Sequence, residues 1–78
     1  MSKSTNLSEA VKHSIEIYFK DLQGERAHGI YSMVIESVEK TLIEEILKRT
    51  QGNQSEAAEM LGIYRNTLRA KMKKFKFI

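Results

Sequence analysis

The sequence predicts an all-α protomer built from four helices. Its 78 residues include no proline, and its four glycines fall where helical patterns end. Between the glycines, apolar residues recur at helical spacing, and no segment shows the alternation of a strand. Without cysteine, disulfides cannot supplement the small core that a chain of this length buries. We therefore expect a homodimer, which enlarges the core.

The first helix is predicted to follow a short disordered N-terminus, residues 1–6, and to run from Leu7 to Leu22. Asn6 and Glu9 have the spacing of an N-cap and its capping-box partner. A Gln-Gly pair follows the helix and ends it. One stripe of the helix is apolar and is expected to be buried. It comprises Leu7, Val11, Ile15, Tyr18, Phe19 and Leu22.

The second helix, predicted from Ile30 to Thr50 with Gly52 as its C′ residue, is apolar around much of its girth. Its apolar residues cover far more than the ~100° stripe that a surface helix needs. Because so short a chain can hardly cover the apolar surface of this helix, we predict that a second copy covers it. Residues 7–50 are the predicted dimerisation region. The predicted dimer interface is Val34, Val38, Leu42 and Ile46.

Charge is distributed unevenly along the chain. Residues 1–52 carry seven Lys and Arg against eight acids, a net charge of −1, whereas residues 53–78 carry six against two, a net charge of +4. No acid occurs beyond Leu61. A neutral body with a basic end indicates that this end contacts a polyanion.

Two short helices with helix-turn-helix spacing occupy the basic end. They are predicted at Gln54–Leu61 and Arg65–Lys74. Ala58, Gly62 and Leu68 have the required spacing. The alanine lets the two helices approach closely, the glycine permits the sharp turn, and the leucine anchors the second helix to the core.

The last helix is predicted to have one apolar face and one DNA-binding face. Leu68, Met72 and Phe75 point inward. Arg65 lies at the N-terminal tip, where its guanidinium group can bind guanine O6 and N7 together. The outward and flanking residues are Asn66, Thr67, Arg69, Ala70, Lys71, Lys73 and Lys74. Such a helix suits the major groove, with base contacts at its tip and phosphate contacts on its flanks.

This C-terminal stretch resembles the helix-turn-helix of the factor for inversion stimulation (Fis) family of bacterial nucleoid proteins. The residues that carry the resemblance are Gly52-Asn53-Gln54-Ser55, Ala57-Ala58, Leu61-Gly62-Ile63, Arg65, Thr67-Leu68-Arg69, Lys71 and Lys73-Lys74. It extends back to about Leu7. The resemblance implies a four-helix homodimer, intertwined through its first two helices, in the bacterial cytoplasm. It also implies a nucleoid-associated transcriptional regulator that binds degenerate double-stranded DNA sites in adjacent major grooves and bends the duplex.

Carried over by position, the resemblance also implies roles for single residues. Arg65 would read a base. The DNA backbone would be contacted by Asn53, Ser55, Thr67, Arg69, Lys73 and Lys74. Tyr64, Asn66 and Lys71 complete the predicted DNA-binding set.

Three positions depart from the best-known family member. Tyr64 stands in place of an asparagine that contacts DNA, Ala70 in place of a groove-facing lysine, and Glu56 in place of an arginine. We expect site preference and affinity to differ accordingly. That member also has a long N-terminal arm that touches a recombinase. Only about six residues precede the first predicted helix here, so recombinase contact is not expected.

Two other functions fit parts of the pattern. The C-terminal domain of an NtrC-type sigma-54 activator has a similar helix-turn-helix, but it normally follows an ATPase module. The initiator methionine and the N-terminal cap favour a complete protein. A protein-binding helical adaptor with a basic tail is the alternative from another class. A membrane-surface helix would need exposed apolar residues beside the bases, whereas the apolar residues here are expected in the core.

Nothing in the sequence indicates an enzyme, a cofactor or a metal site. His13 and His28 have no ligand partner at suitable spacing. Phosphate-binding loops, nucleophile elbows and HExxH motifs are absent. No apolar run approaches the ~20 residues of a membrane span, so we expect no membrane partner.

Overall fold

The computed structural model describes residues 2–78, with the side chains of residues 6–78, as four α-helices. In chain order they are α1 (Ser2–Asp21), α2 (Ile30–Arg49), α3 (Gln54–Leu61) and α4 (Arg65–Lys74). No strand occurs in the described residues. The predicted all-α, four-helix protomer is confirmed. The chain divides into two compact units, one up to Glu36 and one from Ser37 to Ile78.

Helix α1 begins earlier than predicted. It starts at Ser2 rather than at Leu7, so Asn6 lies inside the helix instead of capping it. Residues 2–6 are helical in place of the predicted disorder, and Met1 lies outside the described residues. The physical reason is that this segment contains neither proline nor glycine to interrupt the helical hydrogen bonds.

The connection after α1 folds back onto that helix. The Tyr18 hydroxyl donates to the carbonyl oxygen of His28 at 3.2 Å and accepts from the His28 backbone N–H at 3.3 Å. Tyr18 also meets Phe19 edge-on, with ring centroids 5.6 Å apart. The apolar stripe of α1 is incompletely covered, since Leu7 and Phe19 are exposed.

The core of the second unit lies among the C-terminal half of α2, α3 and α4. Its buried side chains are Ile43, Ala57, Ala58, Leu68 and Met72. Partly buried residues pack around them, namely Ile46, Leu47, Leu61, Ile63, Phe75 and Phe77. The predicted inward positions of the helix-turn-helix are thus confirmed. Because Ala57 and Ala58 are small, α3 can lie close to its neighbours.

The end of α2 differs by one residue from the prediction. Gln51 N–H bonds to the Lys48 carbonyl at 3.2 Å, and Gly52 N–H bonds to the Leu47 carbonyl at 2.9 Å. These two bonds define a Schellman motif with Gln51 at C′ and Gly52 at C″. Gln51 therefore adopts the left-handed conformation, with φ +56°, that the prediction assigns to glycine.

Candidate nucleic-acid interface

The turn between α3 and α4 sets where the last helix begins. Gly62 has φ +77°, and its N–H bonds to the Ala58 carbonyl at 2.9 Å and to the Glu59 carbonyl at 3.2 Å. Ile63 N–H reaches the Ala58 carbonyl at 3.1 Å, and the Ile63 side chain is partly buried against the core. These bonds end α3 in a Schellman motif at the predicted glycine. The chain then turns and starts α4 at Arg65.

Helix α4 has one buried and one exposed face, as predicted. Leu68 is 0% exposed and Met72 is also buried, so they anchor the helix to the core. The exposed residues are Arg65, Asn66, Thr67, Arg69, Ala70, Lys73 and Lys74. The predicted division into two faces is confirmed, while DNA contact by each residue stays a prediction. We call these seven residues the α4 outer face.

The N-terminal tip of α4 presents an aromatic and a basic side chain to solvent. Tyr64 occupies the N-cap in an extended conformation, makes no side-chain capping bond and is 84% exposed. Arg65 follows it and is also exposed. The first turn contains no acid. Its unpaired backbone N–H groups and positive dipole end therefore favour an anion, as does the arginine.

Two polar contacts order the residues around α3. The Asn53 side-chain oxygen accepts from the Glu56 backbone N–H at 3.1 Å and caps the helix. Arg69 donates from Nη1 to Gln54 Oε1 at 3.3 Å. Ser55 is exposed beside them. The contact of Gln54 could not be predicted from the sequence, because its partner Arg69 lies 15 residues away and local spacing gives no signal for it.

Lys71 differs from the other predicted DNA-binding residues. Its Nζ donates to Glu39 Oε2 on α2 at 2.9 Å, and both side chains are about two-thirds buried. Its ammonium is thus already paired within the protein, at the edge of the α4 outer face. A DNA contact by Lys71 stays a prediction.

The predicted dimer-interface residues are only partly covered in the single chain. Val34, Val38 and Ile46 are half-buried, and Leu42 is 49% exposed. Ile46 also packs on the core of its own chain, which the prediction did not include. Further apolar side chains of α2 are exposed, namely Tyr31, Met33 and Ile35. The role of this stripe as a dimer interface stays a prediction.

Other kinds of site find no support in the described residues. No group of three or more His, Cys, Asp or Glu side chains there could hold a metal ion. His13 and His28 are exposed. Within the same part of the chain, no helix has the length and apolarity needed to cross a membrane.

Comparison with known proteins identifies the family. Residues 34–75, which include most of α2 and the whole helix-turn-helix, match the model of the family described as "Bacterial regulatory protein, Fis family". Two curated proteins of Neisseria meningitidis, from serogroups A and B, share the name "Putative Fis-like DNA-binding protein". Each is 45% identical to this chain over 67 residues, which is 86% of this chain and 85% of the relative. The chain therefore belongs to the Fis family of bacterial regulatory proteins.

Proposed function

We propose that the protein binds double-stranded DNA as a homodimer, bends it, and acts as a nucleoid-associated transcriptional regulator in the bacterial cytoplasm. The observation that carries the proposal is the α4 outer face, which is basic and exposed while the opposite face is anchored in the core. The Fis-family match supports it, as do the two relatives that are named as DNA-binding.

DNA recognition is divided along α4. Arg65 at the tip reaches a base edge, where its guanidinium can bind guanine O6 and N7. Lys73 and Lys74 lie two turns later and contact phosphates, which position the helix without reading sequence. Because no acid follows Leu61, no carboxylate of this segment opposes the approach of the duplex.

The exposed apolar side chains of the first two helices support the homodimer. Leu42 and Tyr31 on α2, and Leu7 and Phe19 on α1, remain exposed in the single chain. Burial of such surface contributes roughly 25 cal/mol per Å². A second copy presents the same surface, so a two-fold symmetric interface covers both sets at once.

Bending follows from the geometry that the family resemblance implies. Two recognition helices reach adjacent major grooves on straight DNA only when they lie about 34 Å apart. The tightly crossed second helices of a Fis-like dimer set them closer, so the duplex curves toward the protein. This curvature costs on the order of 1–6 kcal/mol, less for flexible sequences. Phosphate contacts by Lys73 and Lys74 offset part of this cost.

Salt titration of two variants tests the division of recognition. Arg65→Ala should cost about 1–3 kcal/mol on a good site and flatten the preference between good and poor sites. Lys73→Ala should weaken binding to all sites about equally. It should also reduce the salt slope, the slope of log affinity against log salt concentration, by about one in magnitude. Lys12→Ala removes the same charge from α1, which the proposal does not place on the DNA, and should change neither the site preference nor the salt slope. Equal behaviour of all three variants would contradict DNA docking through α4 and favour the protein-binding adaptor.

A circular-permutation gel assay tests bending. We expect retarded mobility when the site lies at the centre of the fragment. Replacing an A/T-rich site centre by a G/C-rich one should weaken binding, because the compressed minor groove becomes harder to form. Straight complexes whose affinity ignores the central base pairs would exclude this docking, even if DNA binding itself survived.

A further inference from the structure

We propose that Lys71 and Glu39 form a positioning pair that sets the angle of α4 against α2, and that Lys71 is not a phosphate ligand. The inference rests on the proposed DNA-binding function. It separates Lys71 from Lys73, which shares its charge and its helix. The separation comes from the 2.9 Å contact between Lys71 Nζ and Glu39 Oε2.

The pair lies at the border of the apolar core. Leu68 and Phe75 stand three residues before and four residues after Lys71, so its stem runs beside the buried face of α4. Glu39 stands four residues before the buried Ile43 on the same face of α2. About one-third of each side chain is exposed, so solvent screens this pair less than it screens a fully exposed surface ion pair.

The pair supplies a second point of attachment between the two helices. The first is the apolar core that Ile43 of α2 shares with Leu68 and Met72 of α4. Apolar burial has no preferred direction, and methionine adapts to many packing arrangements. A charge-assisted hydrogen bond is short and ties two particular atoms together, here Lys71 Nζ and Glu39 Oε2. Because Glu39 lies one turn before Ile43 on α2, about 6 Å away, the pair limits rotation of α4 about the apolar contact.

In a dimer, the angle of α4 determines which separation of DNA half-sites fits both copies. A variant without the pair should therefore lose discrimination between separations, although its phosphate contacts remain. A phosphate ligand behaves differently, because its loss weakens every separation equally and lowers the salt slope. The two roles also predict different results when the acid at Glu39 is removed. Removing an acid from beside a phosphate ligand strengthens binding, whereas removing it from a positioning pair reduces discrimination.

The test compares wild type, Glu39→Gln, Lys71→Gln and the charge swap Glu39→Lys with Lys71→Glu. Each is titrated on a site with the best half-site separation and on a site with one added base pair, which adds about 3.4 Å. The ratio of the two affinities cancels the general effect of net charge. We expect each single variant to reduce this ratio at least about threefold, and the swap to restore most of it. The salt slope of Lys71→Gln should equal that of the wild type.

A matched control is Lys73→Gln, which should lower the salt slope by about one and leave the ratio unchanged. If Glu39→Gln does not fold, Glu39→Asp, which withdraws the carboxylate by one methylene, replaces it. The inference is overturned if Lys71→Gln lowers the salt slope like the control, if Glu39→Gln strengthens both sites at an unchanged ratio, or if the swap restores nothing. A wild type without any preference between separations would instead overturn the proposed dimer function, and this inference with it.

Discussion

The helix-turn-helix end and the long helices differ in how completely one chain covers its apolar residues. Among the described side chains, every buried one lies between Ile43 and Met72. Leu68 is 0% exposed there. By contrast, α1 contains no buried side chain among its described residues, and Tyr31 near the start of α2 is 79% exposed. Both regions are helical, so secondary structure alone does not explain the difference.

The difference shows that a segment of this protein can be helical without its apolar side chains being buried by the same chain. In residues 37–78, two short helices and the end of α2 surround a shared core, so a single chain completes it. In the long helices, the apolar residues are more numerous than the surfaces that a single chain offers them. In the proposed homodimer, a second copy supplies the missing surface, and this matters because most helical stability in proteins comes from packing.

The largest expected effect concerns the uncovered region. Val38→Asp should place a carboxylate in the proposed dimer interface and cost about 3–5 kcal/mol, because the charge has no partner there. The free energy of unfolding of a small protein is only about 5–15 kcal/mol, so dimerisation and folding should both fail. Sedimentation and circular dichroism measure this. Ser37→Asp adds the same charge at the exposed neighbouring position and should remain dimeric. A stable, compact wild-type monomer at micromolar concentration would contradict the proposed dimer.

A smaller effect is expected in the region that one chain completes. Gly62→Ala should destabilise the protein by about 1–2 kcal/mol, because a Cβ is disfavoured at φ +77°. The added methyl group would meet no atom within 4 Å, so the penalty comes from the backbone alone. Thermal unfolding measures it. Ala70→Gly on the exposed side of α4 is the control and should cost roughly 1 kcal/mol through helix propensity. An unchanged stability of Gly62→Ala would mean that the turn tolerates another conformation.

The smallest effect has the opposite sign. Gln51→Gly should stabilise the protein by about 0.5–1 kcal/mol, since Gln51 already adopts φ +56° and glycine does so without steric cost. Denaturant unfolding resolves a change of this size. Ser55→Gly inserts the same residue inside α3 and should instead lose about 0.5 kcal/mol. Destabilisation by Gln51→Gly would show that the glutamine side chain stabilises this turn in some other way.

Most of the fold could be predicted because its signals are local. The bounds of α3 and α4 match the predictions to the residue, since Gly62 and the apolar spacing mark them directly. The start of α1 was missed because a polar segment without helix breakers fits both a helix and a disordered end. The end of α2 was displaced by one residue, since a glycine at C″ and a glycine at C′ give nearly the same pattern.

The buried and exposed faces of α4 could be predicted from the sequence, but the partners of its side chains could not. Leu68 and Met72 are buried and Arg65 is exposed, as periodicity requires. Periodicity places Lys71 on the flank of α4 but does not name its partner.

The sequence alone determined four helices, a helix-turn-helix with its buried anchors, a basic end and membership of a regulatory family. These properties depend on spacing within about 20 residues, which apolar period, glycine positions and charge report directly. Only the tertiary structure paired Lys71 with Glu39, 32 residues away, and Arg69 with Gln54, 15 residues away. A helical period specifies the direction in which a side chain points. Which group it meets depends on how the helices pack, and so on the distances and angles of the folded chain.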